Sequence, residues 1–177
     1  MIRTLLIANR GEIARRIIRT ARAMGIRTVA VYSEPDATSP HVGEADRAVA
    51  LGGRSPTESY LDVSKLVAAA ARAGADAVHP GYGFVSERAD AARAIVDAGL
   101  VWVGPSPDVI ALLGDKVRAK DLMSSAGVPL LAGATVAEGS GPDAWADAAS
   151  GVGYPLLVKA AAGGGGRGMR LVEDASS

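Results

Sequence analysis

The sequence has no cysteine, which excludes disulfide frameworks and cysteine-ligated zinc. It has two histidines, His41 and His79, too few for a histidine-rich metal site. Acidic and basic residues balance at 19 each, so no electrostatic bias points to nucleic acid. No apolar run approaches the ~18–20 residues that span a bilayer. Near the start, only Leu5-Leu6-Ile7-Ala8 is uninterruptedly apolar, too short for a signal-peptide core. A cytoplasmic location is the expectation. Lysine is scarce as well: of the 19 basic residues only four are lysines, Lys65, Lys116, Lys120 and Lys159. In a chain that otherwise prefers arginine, a lysine stands out for its compact ammonium, although chance accounts for Lys65.

What is present is a 177-residue chain, 49% hydrophobic. A domain of that size buries roughly two-thirds of its unfolded surface, enough for a stable core. The length suits one domain, or one domain plus part of another. Thr4 to Ala8 is a continuous apolar run, as in a strand buried on both faces. Ile13, Ala14, Ile17, Ile18, Ala21 and Met24 follow at helical spacing, with Arg15, Arg16, Arg19 and Arg22 on the polar side. Gly25 ends that helix, and Thr28 to Tyr32 reads as a second strand. Strand, helix and strand within about 30 residues make a βαβ unit with a parallel sheet.

The pattern recurs. Tyr60 to Ala73 is expected as a helix stopped by Gly74, and Ala75 to His79 as a strand. Ser86 is expected to cap a helix running to Ala98, and Leu100 to Val103 to form a further strand. Residues 1–104 therefore read as a doubly wound α/β domain with a parallel sheet. Two helices follow, Pro107 to Leu113 and Lys116 to Ala126, within a helical linker at 105–130. Residues 131–177 read as the start of a second domain. It has a helix near Pro142 to Ala149, a strand at Leu156 to Ala160, a glycine loop, and a strand at Met169 to Val172.

The glycine run Gly163-Gly164-Gly165-Gly166-Arg167-Gly168 matches G-x-G-x-x-G literally, as any glycine run would. A dinucleotide fingerprint leaves a strand and opens a helix, whereas this loop joins two expected strands. No Gly-Lys-Ser/Thr follows, so it is not a Walker loop either. A phosphate-binding hairpin or a flexible linker fits, and the flanking strands favour the hairpin. Glycine lets backbone N–H groups approach an anion closely. Lys159, within the strand that enters the loop, reads equally as a phosphate ligand or as a solvated edge-strand lysine. Asp115 is placed to cap a helix that begins at Lys116. Asn9-Arg10-Gly11-Glu12 and His79-Pro80-Gly81-Tyr82-Gly83 lie at the carboxyl ends of two strands, the edge where open α/β sheets bind ligands. His79 alone reads more readily as a packed histidine than as a base.

Four segments together resemble the biotin carboxylase family: Leu6 to Ala14 (LIANRGEIA), Val78 to Glu87 (VHPGYGFVSE), Gly114-Asp115-Lys116, and Lys159 to Met169 (KAAAGGGGRGM). Their order and spacing match across essentially the whole chain. The resemblance implies a biotin carboxylase N-terminal α/β domain followed by the beginning of an ATP-grasp domain. It implies use of ATP and Mg²⁺ to activate bicarbonate and carboxylate biotin on a separate carrier domain, feeding acyl-CoA carboxylation by a carboxyltransferase subunit. Lys116, Lys159, Gly163, Gly164, Gly165, Gly166, Arg167 and Gly168 would then bind ATP. His79, Tyr82 and Gly83 would lie near the active-site face. The resemblance also allows a homodimer and implies fatty acid biosynthesis as the setting.

The family's Mg²⁺-binding carboxylates, its bicarbonate residues, its adenine pocket and its Met-Lys-Met biotin site have no counterpart in these 177 residues. No metal ligand is assigned, and the chain by itself is expected to be catalytically inert. The alternatives are a short form acting as a binding or assembly module, and another ATP-grasp ligase.

Overall fold

Thr4–Ile7 forms β1, the middle strand, and every residue in it is buried. Its side chains alternate between two cores. Leu6 joins one hydrophobic cluster and Leu5 and Ile7 the other, as the two-residue strand period requires. The structure is a computed structural model that describes residues 1–160 and 168–176, with Lys116 described by its backbone alone. The chain divides into two compact units, Met1–Ala111 and Leu112–Ser177.

In the first unit β1 leads into α1 (Gly11–Ala23), β2 (Arg27–Tyr32), a 3₁₀ turn (Glu34–Asp36), α2 (Pro40–Glu44) and β3 (Arg47–Ala50). Then come α3 (Val63–Ala73), β4 (Ala77–His79), a second 3₁₀ turn (Phe84–Glu87), α4 (Ala89–Asp97) and β5 (Val101–Trp102). The five strands are all parallel, in the order β3-β2-β1-β4-β5. This is the doubly wound parallel sheet expected from the sequence. Chain order reverses between β1 and β4, which pair from Leu5 with Ala77 to Ile7 with His79. α1 places Ala14, Ile18 and Ala21 on one face of the sheet. α3 and α4 place Leu66, Ala69, Ala92 and Ile95 in the core on the other. Burying one such isoleucine or leucine stabilises by ~2 kcal/mol.

Several local expectations are corrected. The helix expected from Tyr60 starts at Val63, because Asp62 caps it by accepting from the Lys65 N–H at 3.2 Å. Tyr60 is instead held inside the core. Ser86 caps nothing: it lies within the second 3₁₀ turn, and α4 begins at Ala89 after Arg88, which gives no side-chain cap. Residues 33–59, left without elements above, hold α2 and edge strand β3. β3 is mostly exposed, and its apolar residues are small apart from Val49.

The second unit is approached through α5 (Pro107–Gly114), which crosses the boundary between the units. It contains α6 (Lys116–Ser125), α7 (Pro142–Val152), β6 (Leu156–Val158) and β7 (Arg170–Val172). β6 and β7 pair antiparallel, Leu156 with Val172 and Val158 with Arg170. Asp115 caps α6 as expected, accepting from the N–H groups of Val117 and Arg118 at 3.0 and 3.1 Å;.

Candidate functional site

The switch point of the first sheet is built around Asn9, which follows β1 and is fully buried. Its amide nitrogen donates to the carbonyls of Pro80 at 2.7 Å and Tyr82 at 2.9 Å. Its Oδ1 accepts from the Arg10 N–H at 2.9 Å. One side chain thus ties the end of β1 to the loop after β4. Gly81 makes that approach possible. It adopts φ +68°, and a Cβ there would lie 2.6 Å from Ile13 Cγ2 and 2.8 Å from Asn9 Nδ2. The Gly81 N–H donates to Nδ1 of His79 at 3.0 Å. That bond needs Nδ1 unprotonated, and burial lowers the His79 pKa below the ordinary value in the same direction. His79 therefore shapes the turn rather than presenting a free base.

Beside this junction lies an open cavity of about 460 Å³, lined by Asn9, Arg10, Glu12, Asp36, Tyr82 and Phe84 among others. The Tyr82 hydroxyl donates to Glu12, and that bond, more than its slight burial, raises the phenol's pKa. Arg10 donates to Asp36 at 3.1 Å. Burial pushes the Asp36 carboxyl up, but bonds from Tyr60, Arg10 and Ser33 outweigh it and hold the group below the usual carboxylate range. All three formal charges on the wall, Arg10, Glu12 and Asp36, are therefore engaged. The cavity offers paired polar groups and two aromatic rings rather than a bare charge.

Of the residues predicted for the active-site face, His79, Tyr82 and Gly83 come together with Asn9 and Arg10 at this edge. Asp36, Tyr60 and Phe84 were missed. Asp36 comes from a stretch with no clear periodicity, Tyr60 reads as the start of a helix, and Phe84 lies in the Val78 to Glu87 segment without being singled out there.

In the second unit, Lys159 follows the last residue of β6 rather than sitting within the strand, and it is exposed. Gly168, at φ +75°, begins the return towards β7. Gly163, Gly164, Gly165, Gly166 and Arg167 lie outside the described residues, as does the Lys116 side chain. Among the described residues no group of three or more His, Asp or Glu is placed to hold a metal ion. The described acids thus do not fit a Mg²⁺ site, and no step is routed through that ion. Among the same residues no helix is long and apolar enough to cross a membrane.

Comparison with known proteins agrees with this division. Residues 1–110 match the family model of the biotin carboxylase N-terminal domain. Residues 115–177 match that of the carbamoyl-phosphate synthase L chain ATP-binding domain. The alpha3 subunit of a biotin-dependent acyl-coenzyme A carboxylase of Mycobacterium leprae is 52% identical over 170 residues, covering 96% of this chain and 28% of that protein. A biotin carboxylase of Halalkalibacterium halodurans is 51% identical over 174 residues, covering 98% of this chain and 38% of that protein. The biotin carboxylase domain dimer of Hydrogenobacter thermophilus 2-oxoglutarate carboxylase was solved with MgADP, ADP and bicarbonate. It superposes with a TM-score of 0.90 at 43% identity, covering 99% of this chain and 38% of that one. The chain thus spans about a third of the length of the relatives it matches. With a family match over residues 1–110 and the parallel sheet that carries it, the chain belongs to the biotin carboxylase N-terminal domain family.

Proposed function

We propose that this chain supplies the N-terminal domain and the first phosphate-binding elements of a biotin carboxylase. That enzyme uses ATP, Mg²⁺ and bicarbonate to carboxylate biotin on a carrier domain. The observation that carries the reading is the run of two family matches in one chain, an N-terminal biotin carboxylase domain followed directly by an ATP-binding domain. The substrates follow from the Hydrogenobacter relative, whose structure holds MgADP and bicarbonate.

In this reading Lys116, Lys159 and the 163–168 loop hold the phosphates of ATP. Each backbone N–H on a phosphate oxygen contributes ~1.5–3 kcal/mol, and a lysine ammonium adds a charge-assisted contact. His79, Tyr82 and Gly83 line the substrate side of the first domain, at the sheet edge where such folds bind ligands. The domain divisions proposed are 1–104, 105–130 and 131–177. The parent enzyme acts in the cytoplasm as a homodimer and passes carboxybiotin to a carboxyltransferase that carboxylates an acyl-CoA, supplying fatty acid biosynthesis. The 177 residues assayed alone are expected to give no bicarbonate-dependent ATP hydrolysis, since among the described residues no group of acids is placed to hold Mg²⁺.

The test is a chimera in which these 177 residues replace the matching segment of the Halalkalibacterium halodurans biotin carboxylase. Bicarbonate-dependent ADP release and carboxylation of free biotin are expected. A folded chimera that does neither, beside an active parent, rejects the reading.

A further inference from the structure

Tyr60 is only 1% exposed, yet it belongs to no helix or strand. Its hydroxyl accepts from the Ser33 N–H at 3.1 Å and donates to Asp36 at 2.7 Å. Asp36 also accepts from the Ser33 hydroxyl at 3.1 Å and from the Arg10 guanidinium at 3.1 and 3.2 Å. Arg10 and Asp36 form one flank of the 460 Å³ cavity. On its other side the Tyr60 ring stacks on Phe84, with centroids 5.1 Å apart and planes 12° from parallel. Phe84 lies in the wall of the same cavity, directly after Gly83. It adopts φ +45°, a left-handed conformation that a bulky residue keeps only when its surroundings hold it there.

One buried side chain therefore touches what holds each flank. Without the hydroxyl, Asp36 loses its shortest donor, at 2.7 Å, and keeps only the Ser33 and Ser39 hydroxyls, at 3.1 and 3.4 Å, beside Arg10, so the partner of Arg10 is held less closely. Arg10 is exposed and has no other bonded side chain among the described residues, so its position depends on Asp36. Without the ring, Phe84 loses its stacking face. Phenylalanine at position 60 separates these roles, since it keeps the ring and removes only the hydroxyl.

We propose that Tyr60 is a positioning residue that sets the spacing of the cavity's two flanks, its hydroxyl fixing the Asp36–Arg10 pair and its ring fixing Phe84, for a substrate of the carboxylation reaction. The substrate part rests on the reading above, that this cavity lies on the substrate side of the domain. The mechanical part does not.

Two arms keep these separable. In the 177-residue chain, the Nε–Hε resonance of Arg10 is followed by NMR in wild type, Tyr60→Phe and Asp36→Asn. The expected result is a shift in Tyr60→Phe of at least half that in Asp36→Asn. A smaller shift, with the fold intact, overturns the link from Tyr60 to Arg10. In the chimera, KM for ATP, bicarbonate and free biotin and the common kcat are measured for the same variants. Loss of one net hydrogen bond corresponds to about a two- to tenfold change in a constant. The expected result is at least one KM raised threefold or more in Tyr60→Phe, with the Tyr60→Phe/Asp36→Asn double variant no higher than Asp36→Asn alone. A merely structural tyrosine lowers the active fraction, and so kcat, and leaves every KM below a threefold change; that outcome overturns the substrate part. If the wild-type chimera does not turn over, the functional reading falls and the Arg10 resonance still decides the link.

Discussion

Replacing Asn9 with alanine should cost the first unit about 2–5 kcal/mol, and the sum can be worked from its three bonds. The Pro80 carbonyl, buried and 2.7 Å from the Asn9 amide, loses its donor where water does not reach. An orphaned buried acceptor costs ~1–3 kcal/mol. The Tyr82 carbonyl and the Arg10 N–H belong to exposed residues and can turn to water. Each then forfeits only the net worth of a bond, ~0.5–1 kcal/mol. Urea unfolding followed by Trp102 fluorescence, in a Trp145→Phe background, reads this unit alone, because each unit contains one tryptophan. The midpoint should fall with the slope unchanged. Asn9→Asp sharpens the test. It keeps the acceptor for Arg10 but turns a carboxylate towards two carbonyls, so it should cost at least as much at neutral pH. Part of that loss should return as the new carboxyl is protonated. A loss below ~1 kcal/mol in both variants would show that Asn9 does not lock the two strand ends together.

Other outcomes follow from the same structure. Gly81→Ala should destabilise the junction, because its Cβ meets Ile13 and Asn9 below 3 Å at a left-handed φ; thermal unfolding measures it, and Gly99→Ala, with open space around it, is the milder control. Glu58 accepts from the backbone N–H groups of Ser55 and Arg54, which hold its pKa down to about 2 against an ordinary 4.5. Its contribution is complete above pH 4.5 and is lost as pH falls towards 2, so Glu58→Gln should flatten the fall of Tm across that window. His41 is fully buried and its pKa is lowered, first of all by that burial. The unfolded chain takes up the proton first, so stability should fall as pH drops below 6.5. His41→Gln should reduce that slope and leave the part due to His79, and NMR of the ring protons should find both histidines titrating below 6.5.

The parallel sheet was legible because its strands declare themselves by composition. β1, buried on both faces, is an unbroken apolar run, and α1 follows with apolar residues three and four apart. The edge strand β3 was not legible. Its Arg47-Ala48-Val49-Ala50 faces solvent for most of its length, and its two alanines, depleted in strands, leave only Val49 as a strand signal. Tyr60 misled the boundary of α3 because an aromatic beside Leu61 and Val63 looks like the first apolar turn of a helix. The hydrogen bond that pulls it inward comes from Ser33 and Asp36, more than 20 residues away. At the candidate site, the Asn9 and His79–Gly83 segments could be placed by the switch-point rule alone. Their bonding through the Asn9 amide could not, since it depends on the close pairing of β1 with β4.

The most direct measurement of the reading that Lys159 and the 163–168 loop hold the phosphates of ATP is the KM for ATP of the active chimera with Lys159→Gln. Removing one ammonium from a phosphate contact worth ~1.4 kcal/mol or more predicts a rise of about tenfold or greater. Lys65→Gln, at a lysine bonded to the Glu58 carbonyl and remote from the glycine loop in sequence, should leave that constant unchanged. An ATP KM that does not move in Lys159→Gln would contradict the account.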